Sequence, residues 1–117
     1  MKKASVFIPI CLFVAFISFS FQIVSTQIKF TVLNNLGKPV EGARVRVYEK
    51  EEDYKKDQNY EQQVLTNEKG IAHFKKLKVM PYYVNVVKDN MNNWGNGEKT
   101  DTLVGNTFNK MTIVIQE

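Results

Sequence analysis

Two segments constrain the fold of this chain more than any others. The first is Gly37-Lys38-Pro39-Val40-Glu41-Gly42-Ala43-Arg44-Val45-Arg46-Val47-Tyr48, and the second is Thr66-Asn67-Glu68-Lys69-Gly70-Ile71-Ala72-His73-Phe74. Each begins with turn chemistry: Gly and Asn tolerate left-handed backbone, and Pro cannot donate to a ladder. Each then alternates with period two, the mark of a half-buried strand. Ala43, Val45 and Val47 face one way, and Arg44, Arg46 and Tyr48 the other. Ala72 and Phe74 share a face, which puts His73 on the opposite one.

The same reading extends along the chain. Gln27–Leu33 alternates, with Ile28, Phe30 and Val32 on one face. Glu49–Glu61 has no apolar period and reads as a solvated loop with room for a helical turn. Gln62–Thr66 is a short strand. Tyr82–Lys88 carries apolar residues on both faces, which implies a central strand or a covered outer face. Thr100–Val104 and Met111–Ile115 complete seven strands, with turn signals at short intervals and no convincing helix. The pattern predicts an all-β sandwich. Its core comprises Phe30, Val32, Ala43, Val45, Val47, Ala72, Phe74, Leu77, Tyr82, Val84, Val86, Ile113 and Ile115.

The N-terminus begins Met1-Lys2-Lys3, and residues 4–24 carry no charge. Two lysines, an apolar run and a patch of small residues describe a secretory signal over residues 1–26, cut between Ser20 and Thr26, with the folded domain at 27–117. The alternative is an uncleaved membrane anchor, for which the run is long enough. The only cysteine, Cys11, lies within that segment and lacks a small residue before it, which argues against a lipid attachment site. Without it the domain has no disulfide or thiolate, and its stability rests on the hydrophobic core.

The formal net charge is +4, and removing Lys2 and Lys3 leaves 14 basic against 12 acidic side chains. The signs are interspersed rather than gathered in one basic patch, so nucleic acid is not an expected partner. His73 is the only histidine, which denies it a histidine partner for a metal or a proton relay.

The run Gly37-Lys38-Pro39-Val40-Glu41-Gly42-Ala43-x-Val45-x-Val47-Tyr48, followed by Thr66-Asn67-x-x-Gly70-x-Ala72-x-Phe74-x-x-Leu77 and Tyr82-x-Val84-x-Val86-x-Lys88, resembles the carboxypeptidase regulatory-like, or prealbumin-like (transthyretin-like), domains. Collagen-adhesin B-type repeats share the pattern. The resemblance covers residues 28–115 and implies a seven-stranded Greek-key β-sandwich. It also implies an accessory module on an exported bacterial protein, usually without catalysis. Some relatives carry a Lys–Asn isopeptide bond promoted by a buried acid. Here Val86 stands where the acid would be, and Phe30 and Val32 take the inward positions of the first strand. Hydroisourate hydrolases of the transthyretin-like group use several histidines, which this chain lacks.

The expected function is therefore a non-catalytic binding or accessory module of the bacterial cell envelope, monomeric and extracytoplasmic. The periplasm, the cell surface and secretion all remain open. Its partner would be a protein or a glycan, with membrane contact only through an uncleaved N-terminal segment. Two alternatives are a carbohydrate-binding domain using loop aromatics and a structural or assembly subunit that pairs through edge strands. Candidate ligand-binding residues are Trp94, Asn92, Asn93, Tyr54 and Tyr60, with Tyr83, Asn90 and Asn96 beside them. They place the site at the end of the sandwich formed by Asp89–Gly97, joined by the Glu49–Glu61 loop. A lone Trp in a small domain is usually buried, so Trp94 is expected to pack down over the sandwich end. No cofactor is expected. The oxygens of Asp89, Asn90, Asn92, Asn93, Asn96, Glu98 and Asp101 match no calcium-loop spacing.

Overall fold

The computed structural model describes residues 24–117; the signal-segment reading therefore lies outside the described residues except for its last three positions. The period-two segments fold as strands. They are β1 (Gln27–Leu33), β2 (Arg44–Tyr48), β3 (Gln62–Leu65), β4 (Ile71–Phe74), β5 (Tyr83–Lys88), β6 (Met91–Asn92) and β7 (Phe108–Val114). One helix, α1 (Glu51–Lys56), lies between β2 and β3. The strands form two sheets, ordered β4-β1-β7 and β3-β2-β5-β6. β1 runs antiparallel to β4 and parallel to β7, pairing Phe30 with Ala72 on one side and with Met111 on the other. β2 lies between β3 and β5, both antiparallel to it.

The inner faces meet in an apolar core. All thirteen residues assigned to it from alternation are buried, joined by Ile28, Val40 and Leu103. Phe30 and Phe74 sit edge to face, with centroids 5.5 Å apart, the arrangement that ring quadrupoles favour. The two turn-and-strand motifs are tied together at Thr66. Its Oγ1 accepts from the Ala43 N–H at 2.8 Å and donates to the Val40 carbonyl at 2.6 Å. Gly70 has φ +75°, and a Cβ there would lie 2.6 Å from the Val32 carbonyl oxygen. The position therefore needs glycine both for its backbone conformation and for space.

Three sequence expectations are corrected. Thr100–Val104 is not a strand; it is an extended segment held by Thr100 N–H to the Tyr82 carbonyl at 2.9 Å and Leu103 N–H to Met80 at 3.3 Å. The sixth strand is instead Met91–Asn92, which folds back on β5 after the two-residue turn Asp89-Asn90. The last strand starts at Phe108 rather than Met111, because its parallel partner β1 offers pairing from Gln27 onward. Ile115 remains buried just past its end.

Tyr48 does face away from the core, as alternation requires, yet it is fully buried. The chain after β2 coils into α1 and lays Tyr54 edge-on against the Tyr48 ring at 5.7 Å. The outer face of this sheet is thus partly roofed, which explains why β5 is apolar on both sides. α1 itself buries no residue completely. Its first turn is acidic (Glu51, Glu52, Asp53) and its last basic (Lys55, Lys56), matching the helix dipole. It ends where Asp57 takes left-handed backbone.

Candidate binding groove

The roof over the second sheet is incomplete, and an open groove of about 500 Å³ remains beside α1. Its floor is the outer face of β2 and β5, from which Arg44, Asn85 and Val87 project. Tyr54, Lys55 and Asp57 form one wall, and Asp89, Asn90, Trp94 and Glu98 form the other. Met91 and Asn92 of β6 close the end. The size falls within the range of small-ligand sites.

Each wall is anchored by polar contacts. The Tyr48 hydroxyl donates to Asp57 Oδ1, the same oxygen that accepts from Arg46 Nη1 at 3.0 Å. Arg44 Nη2 lies 3.7 Å from Asp57 Oδ2. The Tyr48 hydrogen bond and the two guanidinium charges hold the Asp57 carboxyl below the usual carboxylate range. Burial, with the Asp57 charge beside it, pushes the Tyr48 hydroxyl up to about 12. The Tyr54 ring stacks on Tyr83 at 5.8 Å, and its hydroxyl donates to Glu98 Oε1. Burial and that carboxylate push the Tyr54 hydroxyl upward as well. Glu98 Oε2 also accepts the Gly95 N–H at 3.1 Å, so one carboxylate links α1 to the opposite loop.

The Asp89–Gly97 loop is organised by its asparagines. Asn93 is fully buried, and all its polar side-chain atoms are used: Oδ1 accepts from Val86 N–H at 3.0 Å, while Nδ2 donates to the carbonyls of Val84 at 2.9 Å and Gly97 at 3.0 Å. Asn92 Oδ1 accepts from the Trp94 N–H at 3.0 Å. With Asn93 turned inward, Trp94 turns outward, and it is 71% exposed.

The sequence-derived site is therefore partly assembled and partly corrected. Trp94, Tyr54, Asn92 and Asn90 meet at one groove, which joins the Asp89–Gly97 loop to the segment after β2. Trp94 does not pack over the sandwich end, because the adjacent Asn93 takes the inward position and satisfies backbone groups there. Asn93 is for the same reason a structural residue rather than a ligand donor. Tyr60 stands apart from the groove, where its ring lies 4.5 Å beneath the Arg46 guanidinium. Tyr83 is stacked between Tyr54 and the Lys99 ammonium, which lies 5.1 Å from its ring. His73 faces outward, with its Nε2 2.6 Å from Gln27 Oε1. Among the described residues, no group of three or more His, Cys, Asp or Glu could hold a metal ion.

Arg44, Asp57 and Asn85 are groove residues that sequence reasoning missed. Alternation showed that Arg44 and Asn85 point outward, but not that β2 and β5 are neighbours, which brings Asn85 directly opposite Arg46. The arrangement is chemically suited to holding a ligand. It offers an exposed aromatic face, amides and a cation, while the Asp57 and Glu98 carboxylates are already engaged.

Comparison with known proteins locates this fold. A streptococcal ancillary pilin superposes with a TM-score of 0.59 and 16% identity, over 82% of this chain and 33% of that one. The backbone protein of the group B streptococcus pilus 2b superposes with a TM-score of 0.51 and 16% identity, over 78% and 40%. The Bacillus anthracis TIE protein matches at a TM-score of 0.48 and 18% identity, over 78% and 16%, too distant to bear on the argument. At these identities the likeness is one of fold, and this chain spans well under half the length of each. No family model matches the sequence, and no curated protein does.

Proposed function

We propose that this chain is a non-catalytic, extracytoplasmic module of the bacterial cell envelope that holds a saccharide in the groove beside Trp94. The observation that carries this reading is Trp94 itself, 71% exposed at the wall of a formed groove. An aromatic ring held in water by its own loop costs hydration and serves no packing purpose, whereas a sugar ring stacked on it would cover it. The exposed amide of Asn90 is available for hydroxyl groups, and Asn85, largely buried with its Oδ1 held by Arg44, would offer its Nδ2. Export is supported by the lysine-led apolar N-terminus, and an envelope setting by the sharing of this fold with surface pilins. In this reading the sandwich is of prealbumin-like Greek-key type, and the export signal lies within residues 1–26 and ends near Ser20. Thr26 is buried, its carbonyl accepts from Leu77 N–H and its Oγ1 from Asn106 N–H, so a cut upstream near Ser20 keeps those bonds.

A second reading, an assembly subunit that pairs through edge strands, is favoured by the β3 edge. β3 is one of the two edge strands of its sheet, and Leu65 on it is 60% exposed. An NMR titration of the labelled domain with solubilised envelope material separates the two. Shifts at the Trp94 indole, Asn85 and Asn90 support the groove. Shifts confined to Gln62–Leu65 support strand pairing and overturn it.

A further inference from the structure

The charges around the groove are not evenly satisfied. Two guanidiniums, Arg44 and Arg46, share the single carboxylate of Asp57, which also accepts the Tyr48 hydroxyl. Arg46 holds it at 3.0 Å, while Arg44 lies 3.7 Å away, beyond a hydrogen bond. The Arg44 guanidinium has five donors, and among the described residues the only side-chain hydrogen bond it makes runs from Nη2 to Asn85 Oδ1 at 3.2 Å. Its Nε is buried with no partner. Its side chain is 33% exposed and sits on the groove floor. A second cation, Lys55, stands on the adjacent wall and is paired only loosely, 3.9 Å from Glu51. Of the three acids lining the groove, Asp57 and Glu98 are already bonded within the fold, while Asp89 is exposed on the wall. The groove is thus lined by both an under-used guanidinium and an exposed indole.

We infer that the groove is built for an acidic saccharide, a sugar whose ring carries a carboxylate, with Arg44 receiving the carboxylate and Trp94 the face of the ring. This rests on the saccharide reading above and names its chemical class. A planar guanidinium matches a carboxylate in two parallel hydrogen bonds, and the ligand would supply the countercharge that Asp57 divides between two arginines. Asn85 and Asn90 would take the neighbouring hydroxyls. A neutral sugar would leave Arg44 as it is. An acidic peptide would satisfy Arg44 but present no flat ring face to Trp94.

Trp94 is the only tryptophan in the chain, so its emission reports the groove directly. The folded domain is titrated with tri-galacturonate, with a neutral galactotriose and with tri-glutamate, each at low salt and at physiological salt. The inference predicts that tri-galacturonate alters Trp94 emission and binds about tenfold tighter than the neutral trimer, the difference expected for one charge-assisted contact. That advantage should shrink with salt. Arg44→Gln should abolish it while leaving residual neutral-sugar binding, and Arg44→Lys should keep part of it, with melting curves confirming that both variants fold. Equal binding of the two sugars overturns the acidic class but leaves the saccharide reading standing. Equal binding of tri-glutamate overturns it in favour of an acidic peptide. No response to either sugar overturns both.

Discussion

Asn93 Oδ1 accepts a hydrogen bond from the backbone N–H of Val86 at 3.0 Å, so a side chain completes the ladder where β6 has ended. With Nδ2 on the Val84 carbonyl, Asn93 serves β5 as a stand-in for a further strand residue. Replacing Asn93 with Ala would leave that N–H and carbonyl buried without partners, a cost of about 2–3 kcal/mol. Chemical denaturation should show this loss. Heteronuclear relaxation should show Trp94 and Gly95 gaining motion, because the inward anchor of the loop is gone.

Phe74→Ala should be among the most damaging single changes, costing about 3–5 kcal/mol. Phe74 is fully buried and packs edge-on to Phe30, and no neighbouring large side chain is free to fill the gap. His73→Ala, on the outer face, loses one contact to Gln27 and should cost about 1 kcal/mol or less. Equal losses in thermal denaturation would contradict the strand register.

Acid should destabilise the domain in two stages. His73 titrates lower in the folded protein than its ordinary value, through burial and then the nearby Lys29 and Lys75 charges. Its contribution is present above about pH 6.5 and fades as pH falls below that. Asp57 is held below the carboxylate range by the Tyr48 hydrogen bond and the arginines, so its contribution persists to about pH 4 and is lost as pH falls further. Asp57→Asn, which tolerates the left-handed backbone at that position, should flatten the lower stage by about 1 kcal/mol, since Asp57 is partly solvent-screened. His73→Gln should flatten the upper stage. Stability measured against pH by urea unfolding checks both.

The core was legible because alternation is a local signal: Phe30, Val45, Phe74 and Val84 each fall on the face their strand must bury. The groove was half legible. The turn-rich Asp89–Gly97 segment and its aromatic could be read directly, and so could the polar stretch that became α1. What could not be read was which strands lie side by side, and hence that Arg44 and Asn85 share a floor. The roles of Asn93 and Trp94 were reversed for a related reason. Size predicts that the indole goes inside, but the open backbone edge beyond β6 needs an amide, and the turn that follows Asn93 carries Trp94 outward. Tyr48 was read correctly as outward, yet its cover comes from a helix whose apolar contribution is essentially one residue, Tyr54.

The central claim is that Trp94 faces a ligand rather than anchoring its loop. Trp94→Ala tests it most directly, with melting temperature and retention on native envelope saccharide measured on the same preparation. An exposed residue away from packing changes stability by about 0.5 kcal/mol or less, so the melting temperature should hold while retention is lost. A fall of several degrees, with retention unchanged or absent from the wild-type domain as well, would contradict the account and make Trp94 a structural residue.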